Sequence, residues 1–192
     1  MQFKLAVTTI VAATSLLCMG AAAVAGPVKV GMITTLSGGG AGLGIDVKAG
    51  FELAVKLSGN TDISVVVADD QQKPDVAVQL ADKMIQSDKV DVLTGIIWSN
   101  LAMAVVPSAT AQNKIYLSPN AGPSALAGAG CNKNYFNVAW QNDDLHQAAG
   151  AYAAGVAKYK NSFILAPNYP AGKDALKGYK RGYKGTVASE VD

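Results

Sequence analysis

The sequence predicts a doubly wound α/β fold built on a parallel sheet. Short β-branched runs alternate with stretches of helical period along the whole chain. The runs are almost continuously apolar, as expected of parallel strands covered on both faces. The first of them runs straight into a glycine-rich turn, Leu36–Gly44, where backbone can approach a small ligand closely.

The elements follow in order. Strands are expected at 28–34, 63–68, 90–97, 115–117, 135–138 and 162–166. The first helix is expected from Ile45, where Val47, Phe51 and Val55 recur every fourth residue. The second opens on Pro74, suited to a first helical position, with Val76, Leu80 and Met84 as its buried stripe. The third follows Ser99 as N-cap, and Pro107 is expected to kink or end it. Two more are expected at 144–159 and 173–183, and the small-residue stretch 120–130 reads as a hinge or domain edge. Thr186–Asp192 looks like the beginning of a further strand.

Residues 1–25 have the three parts of a secretory signal. Lys4 is the basic start, Leu5–Leu17 the apolar centre and Ala23-Val24-Ala25 the small-x-small cleavage site, so the mature chain is expected to begin at Gly26. A membrane anchor is the alternative, but the Ala/Gly-rich end suits a peptidase better. Cys18 follows the bulky Leu17, which argues against a lipoprotein. Removing the signal leaves Cys131 as the one cysteine, without an internal disulfide partner.

Composition narrows the function classes. Half the residues are hydrophobic and the net charge is +2, with Arg181 the sole arginine, which gives no electrostatic case for nucleic acid. His146 is the only histidine, and its place at a helix start reads as capping or surface. With no Gly-x-Ser-x-Gly elbow or Ser-x-x-Lys pair, nucleophilic catalysis has no support and the chain is not expected to be an enzyme. One histidine and one mature cysteine make no structural zinc site, and Asp69-Asp70 reads as a capping or solvated turn rather than a calcium pair. Neither metal nor cofactor is expected. An NAD-type oxidoreductase is the competing class, since a glycine loop with Asp69 after strand two imitates a dinucleotide fold. Glycines at 40, 42 and 44 do not fit Gly-x-Gly-x-x-Gly in any register, and no P-loop lysine follows.

In a doubly wound sheet, ligands bind beyond the carboxyl ends of the strands where strand order reverses. With strand one between strands two and three, the 36–44 turn and the loop 98–101 share that crevice. The loops 118–124 and 167–172 lie nearby.

Several motifs carry a family resemblance. Val30-Gly31-Met32-Ile33-Thr34-Thr35-Leu36-Ser37-Gly38 followed by Ala49-Gly50-Phe51-Glu52-Leu53-Ala54-Val55 resembles the opening of type I periplasmic solute-binding proteins, in the leucine/isoleucine/valine-binding branch that serves ABC importers. Val67-Ala68-Asp69-Asp70-Gln71, Leu80–Ile85, Thr94-Gly95, Ser118-Pro119 and Tyr169–Asp174 continue the likeness in order. The resemblance implies two α/β lobes closing on a solute. Residues 26–144 would form an incomplete first lobe and residues 145–192 the truncated start of a second. It also implies a monomer in the periplasm, partnered by an inner-membrane ABC permease.

Site residues carry over from the resemblance one by one. Ser99 matches a serine that binds the ligand carboxylate, Asn120 a position that binds through its carbonyl, and Leu43 a residue flanking the ligand. Gly122 stands where amino-acid binders carry threonine. Trp98-Ser99-Asn100, Asn120-Ala121-Gly122-Pro123 and Asn137-Val138-Ala139-Trp140-Gln141-Asn142-Asp143 are more similar to the aromatic-acid binders of the branch. A carboxylate on Ser99 and Asn100, with a ring against Trp98, Trp140 or Tyr169, is the expected arrangement. The alternatives are a branched-chain amino-acid or amide binder and a non-functional fragment.

Overall fold

The computed structural model describes residues 26–191. The export signal and its cleavage site fall on residues 1–25, outside the described residues.

Seven strands and six helices alternate: β1 (Val28–Thr34), α1 (Ala41–Ser58), β2 (Ile63–Asp69), α2 (Pro74–Gln86), β3 (Val92–Thr94), α3 (Ser99–Ala111), β4 (Ile115–Ser118), α4 (Ser124–Ala127), β5 (Tyr135–Asn137), α5 (Asn142–Gly155), β6 (Asn161–Leu165), α6 (Pro170–Gly182) and β7 (Thr186–Val191). Five strands form one sheet in the order β2-β1-β3-β4-β5, every pair parallel. β6 and β7 form a separate parallel pair. This is the predicted α/β class, and β1 lies between β2 and β3 as expected. The order therefore reverses between β1 and β3, which opens a crevice at their carboxyl ends.

The core lies between the five-stranded sheet and α2 and α3. Ile33, Leu93 and Tyr116 from the strands meet Ala77, Ala81 and Met84 of α2 and Leu101, Val105 and Val106 of α3, all buried. The branched and small residues at helical spacing on α2 and α3 supply one continuous apolar stripe each. Around the second sheet, α5 and α6 lie against each other, with Ala153, Leu176 and Tyr183 buried.

Four expectations need correction. β3 is three residues long, because Gly95 adopts φ +107° and breaks the extended run. α1 begins at Ala41, four residues early, so Gly42 and Gly44 are helical and the turn after β1 is shorter than read. Ser99 is the first residue of α3 rather than its cap, the cap position being Trp98. Pro107 does not end α3, which runs on to Ala111 with Val105, Val106 and Ala109 fully buried. Burial of that face outweighs the one backbone bond that proline cannot donate.

Candidate solute site

A cavity of about 200 Å³ opens at the carboxyl ends of β3 and β4. It is lined by Ile97, Ser99, Asn120, Ala121, Trp140, Asn142, His146, Tyr169 and Ala171. Loops of the five-stranded sheet, the start of α5 and the loop after β6 thus converge on it. Two polar side chains, Ser99 and Asn120, are fixed on its sheet side. Ser99 is buried and opens α3, where no side chain caps the first turn, and its hydroxyl accepts a hydrogen bond from Asn142 Nδ2 at 3.0 Å. Unpaired amides and the helix dipole make such a start favourable to anions. Asn120 donates from Nδ2 to the Ile97 carbonyl at 2.9 Å, which ties the β4 loop to the β3 loop. Tyr169 lines the cavity from the second unit, and burial pushes its phenol pKa up. Trp140 is half exposed on its wall.

Trp98 stands beside the cavity rather than lining it. Its indole Nε1 donates to Thr35 Oγ1 at 3.0 Å, and Thr35 in turn donates to Asp70 Oδ1 at 2.7 Å. Its ring meets Tyr169 edge to face, with centroids 6.5 Å apart. A β-carbon on Gly40 would fall on the Trp98 ring, so the glycine turn after β1 serves to seat this indole. Asp70 is fully buried; burial raises its pKa, against the Thr35 and Gln72 hydrogen bonds that lower it. This corrects the reading of Asp69-Asp70 as a solvated turn. Asp69 does bind turn amides, accepting from Leu36 N at 2.8 Å and Gln71 N at 2.9 Å.

Gly122 is buried behind Trp140. A β-carbon there would lie 2.0 Å from the Trp140 carbonyl oxygen and 2.7 Å from Asn137 Nδ2. The chain at 122 and the chain at 140 touch through backbone, and no threonine fits on this path. The Gly122 carbonyl also accepts from the Asn142 amide at 2.8 Å.

The nine residues named from sequence do not all meet. Ser99, Asn120, Ala121, Trp140 and Tyr169 line the cavity, while Trp98 and Gly122 support its walls. Leu43 is half exposed on α1 and does not line it, and neither does Asn100, the second residue of α3. Ile97, Asn142, His146 and Ala171 also line the cavity without having been named as site residues, and the two polar ones are Asn142 and His146. His146 is exposed, in keeping with a surface reading, and is not a cap, since the cap of α5 is Gln141; it lies one turn into the helix, on the cavity rim. Asn142 was legible as part of a polar helix start and of the Asn137–Asp143 segment, with nothing to connect its side chain to Ser99.

The start of α5 is also an electrostatic joint. Asp143 accepts from Ser124 Oγ and Gln141 Nε2, both at 2.7 Å, and pairs with Arg181 of α6 at 2.7 Å. Burial alone would raise its pKa, but these hydrogen bonds and the guanidinium hold it below the ordinary value.

The model of the periplasmic binding protein family matches residues 27–192. A solute-binding protein of an ABC transporter from R. palustris, solved with benzoate, is 34% identical with a TM-score of 0.81, over 86% of this chain and 48% of that one. One from Rhodopseudomonas palustris BisB5, solved with 3,4-dihydroxy benzoic acid, is 27% identical with a TM-score of 0.79, over 85% of this chain and 46% of that one. A branched-chain amino acid transporter substrate binding protein from Streptococcus pneumoniae, solved with isoleucine, shares the fold at 22% identity and a TM-score of 0.76, over 85% and 49% of the two chains. No curated protein sequence matches. The chain spans about half the length of these solved structures, which are binding proteins rather than enzymes. With the family model matched along all seven strands and six helices, and the sheet order as expected, the chain belongs to the periplasmic binding protein family.

Proposed function

We propose that this chain binds a small aromatic carboxylate, as the solute-capturing part of an ABC importer. The observation that carries the reading is the composition of the cavity. A serine hydroxyl at the uncapped start of α3 lines it together with the rings of Trp140 and Tyr169. A carboxylate accepts well from that hydroxyl and the neighbouring helix amides, and a flat ring gains contact with the two aromatic walls. Gly122 supports the choice among carboxylates, because its backbone contact leaves no room for a threonine hydroxyl to hold an amino acid's ammonium group.

On this reading, residues 1–25 export the protein to the periplasm and are removed. Residues 26–144 form the first lobe, and the sheet of β6 and β7 begins the second, with the solute held between them. The partner is a permease of the inner membrane, and the protein acts as a monomer without metal or cofactor.

The test is calorimetric titration of the purified two-lobed protein with benzoate, 4-hydroxybenzoate and leucine. Saturable binding of the aromatic acids, weakened about tenfold or more by Ser99→Ala, is expected from the loss of one hydrogen bond to a charged group. Tight leucine binding with no response to either benzoate would overturn the reading.

A further inference from the structure

We propose that Asn142 is a positioning residue that turns the Ser99 hydroxyl into a donor for the solute's carboxylate, with its own orientation held by Asp174 of α6. The inference rests on the reading of Ser99 as a carboxylate ligand.

Asp174 of α6 fixes the Asn142 side chain. Its Oδ2 lies 3.1 Å from the Asn142 terminal nitrogen and also accepts from the Ser124 backbone amide at 2.9 Å. A carboxylate oxygen can only accept, so the atom of Asn142 that faces it must be the NH2 group and not the oxygen. The same nitrogen lies 3.0 Å from Ser99 Oγ. Its two hydrogens therefore serve two acceptors, one on α6 and one on α3. The backbone is held as well, through the Asn142 amide on the Gly122 carbonyl at 2.8 Å.

The consequence falls on Ser99. A serine hydroxyl has one hydrogen and can accept as well as donate. Because Asn142 occupies an acceptor site of Oγ, that hydrogen remains available, and among the described residues no protein acceptor takes it. Ser99 is buried, so a hydroxyl fixed as a donor beside the cavity is matched to an anion. Reversal of the amide would present an oxygen to Ser99, and the hydroxyl would donate to Asn142 instead. Asp174, 75 residues further along the chain than Ser99 and on a helix of the other unit, thus fixes the polarity of the ligand contact.

Asn142→Asp reverses the polarity with almost no change in shape. An ionised carboxylate at this position can only accept, so Ser99 would donate to it and not to the solute. Around this site stand Asp174 and Arg181 on α6, Asp143, Asp144 and His146 on α5, and Tyr169; α3 and residues 119–124 bring no ionisable side chain. Burial and the adjacent Asp174 would favour protonation of the new carboxylate, whose single hydrogen goes to Asp174; the neutral carbonyl left facing Ser99 competes far less for the serine hydrogen than a carboxylate does. Solute affinity is measured for wild type and N142D at each pH, and their ratio is used so that ionisation of the solute itself affects both proteins alike. At about pH 8 the variant is expected to bind benzoate about 10- to 100-fold more weakly, the loss of a charge-assisted hydrogen bond. Near pH 5 the ratio is expected to shrink at least about fivefold as the introduced carboxylate protonates.

Asn142→Ala provides the second measurement. The losses from N142A and S99A should not add, and the double variant should bind within about threefold of S99A alone, as coupled neighbours do. If wild type binds no carboxylate, the reading of the site fails and the inference with it. If wild type binds benzoate but the N142D ratio is flat with pH, or the N142A and S99A losses add fully, the inference alone is overturned.

Discussion

Replacing Gly122 by alanine adds one methyl group at the place where the site's two loops meet through backbone. The new β-carbon would stand 2.0 Å from the Trp140 oxygen, 2.7 Å from Asn137 Nδ2 and 3.1 Å from the Trp140 carbonyl carbon. Ordinary contact begins near 3.4 Å, so the 140 segment has to retreat by more than an ångström. That segment is not free to do so. Asn137 Nδ2 donates to the same Trp140 oxygen at 2.8 Å, and the Gly122 carbonyl holds the start of α5 through Asn142. Overpacking against backbone costs about 1–3 kcal/mol, and one strained hydrogen bond takes the expected loss to the upper part of that range. For a chain of this size that is a fall of roughly 4–10 °C in melting temperature, read by circular dichroism. On the proposed reading, benzoate affinity should fall together with it, because Trp140 moves as a wall of the cavity. Gly50→Ala is the control: nothing lies within 4 Å of its new methyl group on exposed α1. There the better helix propensity of alanine should be neutral or stabilising by up to about 1 kcal/mol. A G122A protein that melts within about a degree of wild type and binds benzoate equally well would show that the 122–140 contact does not shape the site.

Three further outcomes are expected. Thr35→Val removes both hydrogen bonds that link Asp70 to Trp98 and leaves a buried carboxylate short of a donor; the cost should be about 1–3 kcal/mol with red-shifted tryptophan emission, and Thr35→Ser should restore most of both. Asp70 has a folded pKa above its ordinary value of 3.8, so the folded state binds its proton more readily than the unfolded state does. Its contribution to stability should rise as pH falls through that raised value, and D70N, compared with wild type by denaturant melts across acidic pH, should lack that rise. Asp143 has the opposite sign: its lowered pKa gives stability present above 3.8 and lost as pH falls through the folded value, so the deficit of D143N should be largest near neutrality and fade in acid.

Much of the fold was legible because its signals are local. Pro74 marked the start of α2, and the β-branched runs at 28–34 and 63–68 gave two strands within one residue of their ends. The parallel order followed from the alternation, since a strand followed by a helix and a parallel strand has one favoured hand. Misreadings came where a tertiary contact overrode a local rule. Gly42 and Gly44 read as turn, yet Gly44 is the one buried residue of α1 and lies against the Thr35 carbonyl, where only a glycine lets the helix come so near. Pro107 read as a breaker, yet its neighbours fill the core. For the site, topology pointed to the loops 36–44, 98–101, 118–124 and 167–172 and the family resemblance to individual residues, of which Ser99, Asn120, Ala121, Trp140 and Tyr169 do converge. Asn142 stood within the Asn137–Asp143 segment of the resemblance but had no role assigned to it. Its partners lie 43 residues before it and 32 after it, and no periodicity or composition connects them.

The edge-to-face contact of Trp98 and Tyr169 has a practical consequence. One ring is anchored to β1 through Thr35, and the other is carried on the loop before α6. A phenol that close to an indole passes its excitation to it, so its own emission is quenched. Any motion that draws the two units apart would restore tyrosine light and dim the transferred tryptophan signal. The ring pair is thus a label-free optical gauge of the distance between β1 and the loop before α6, readable in a stopped-flow cell.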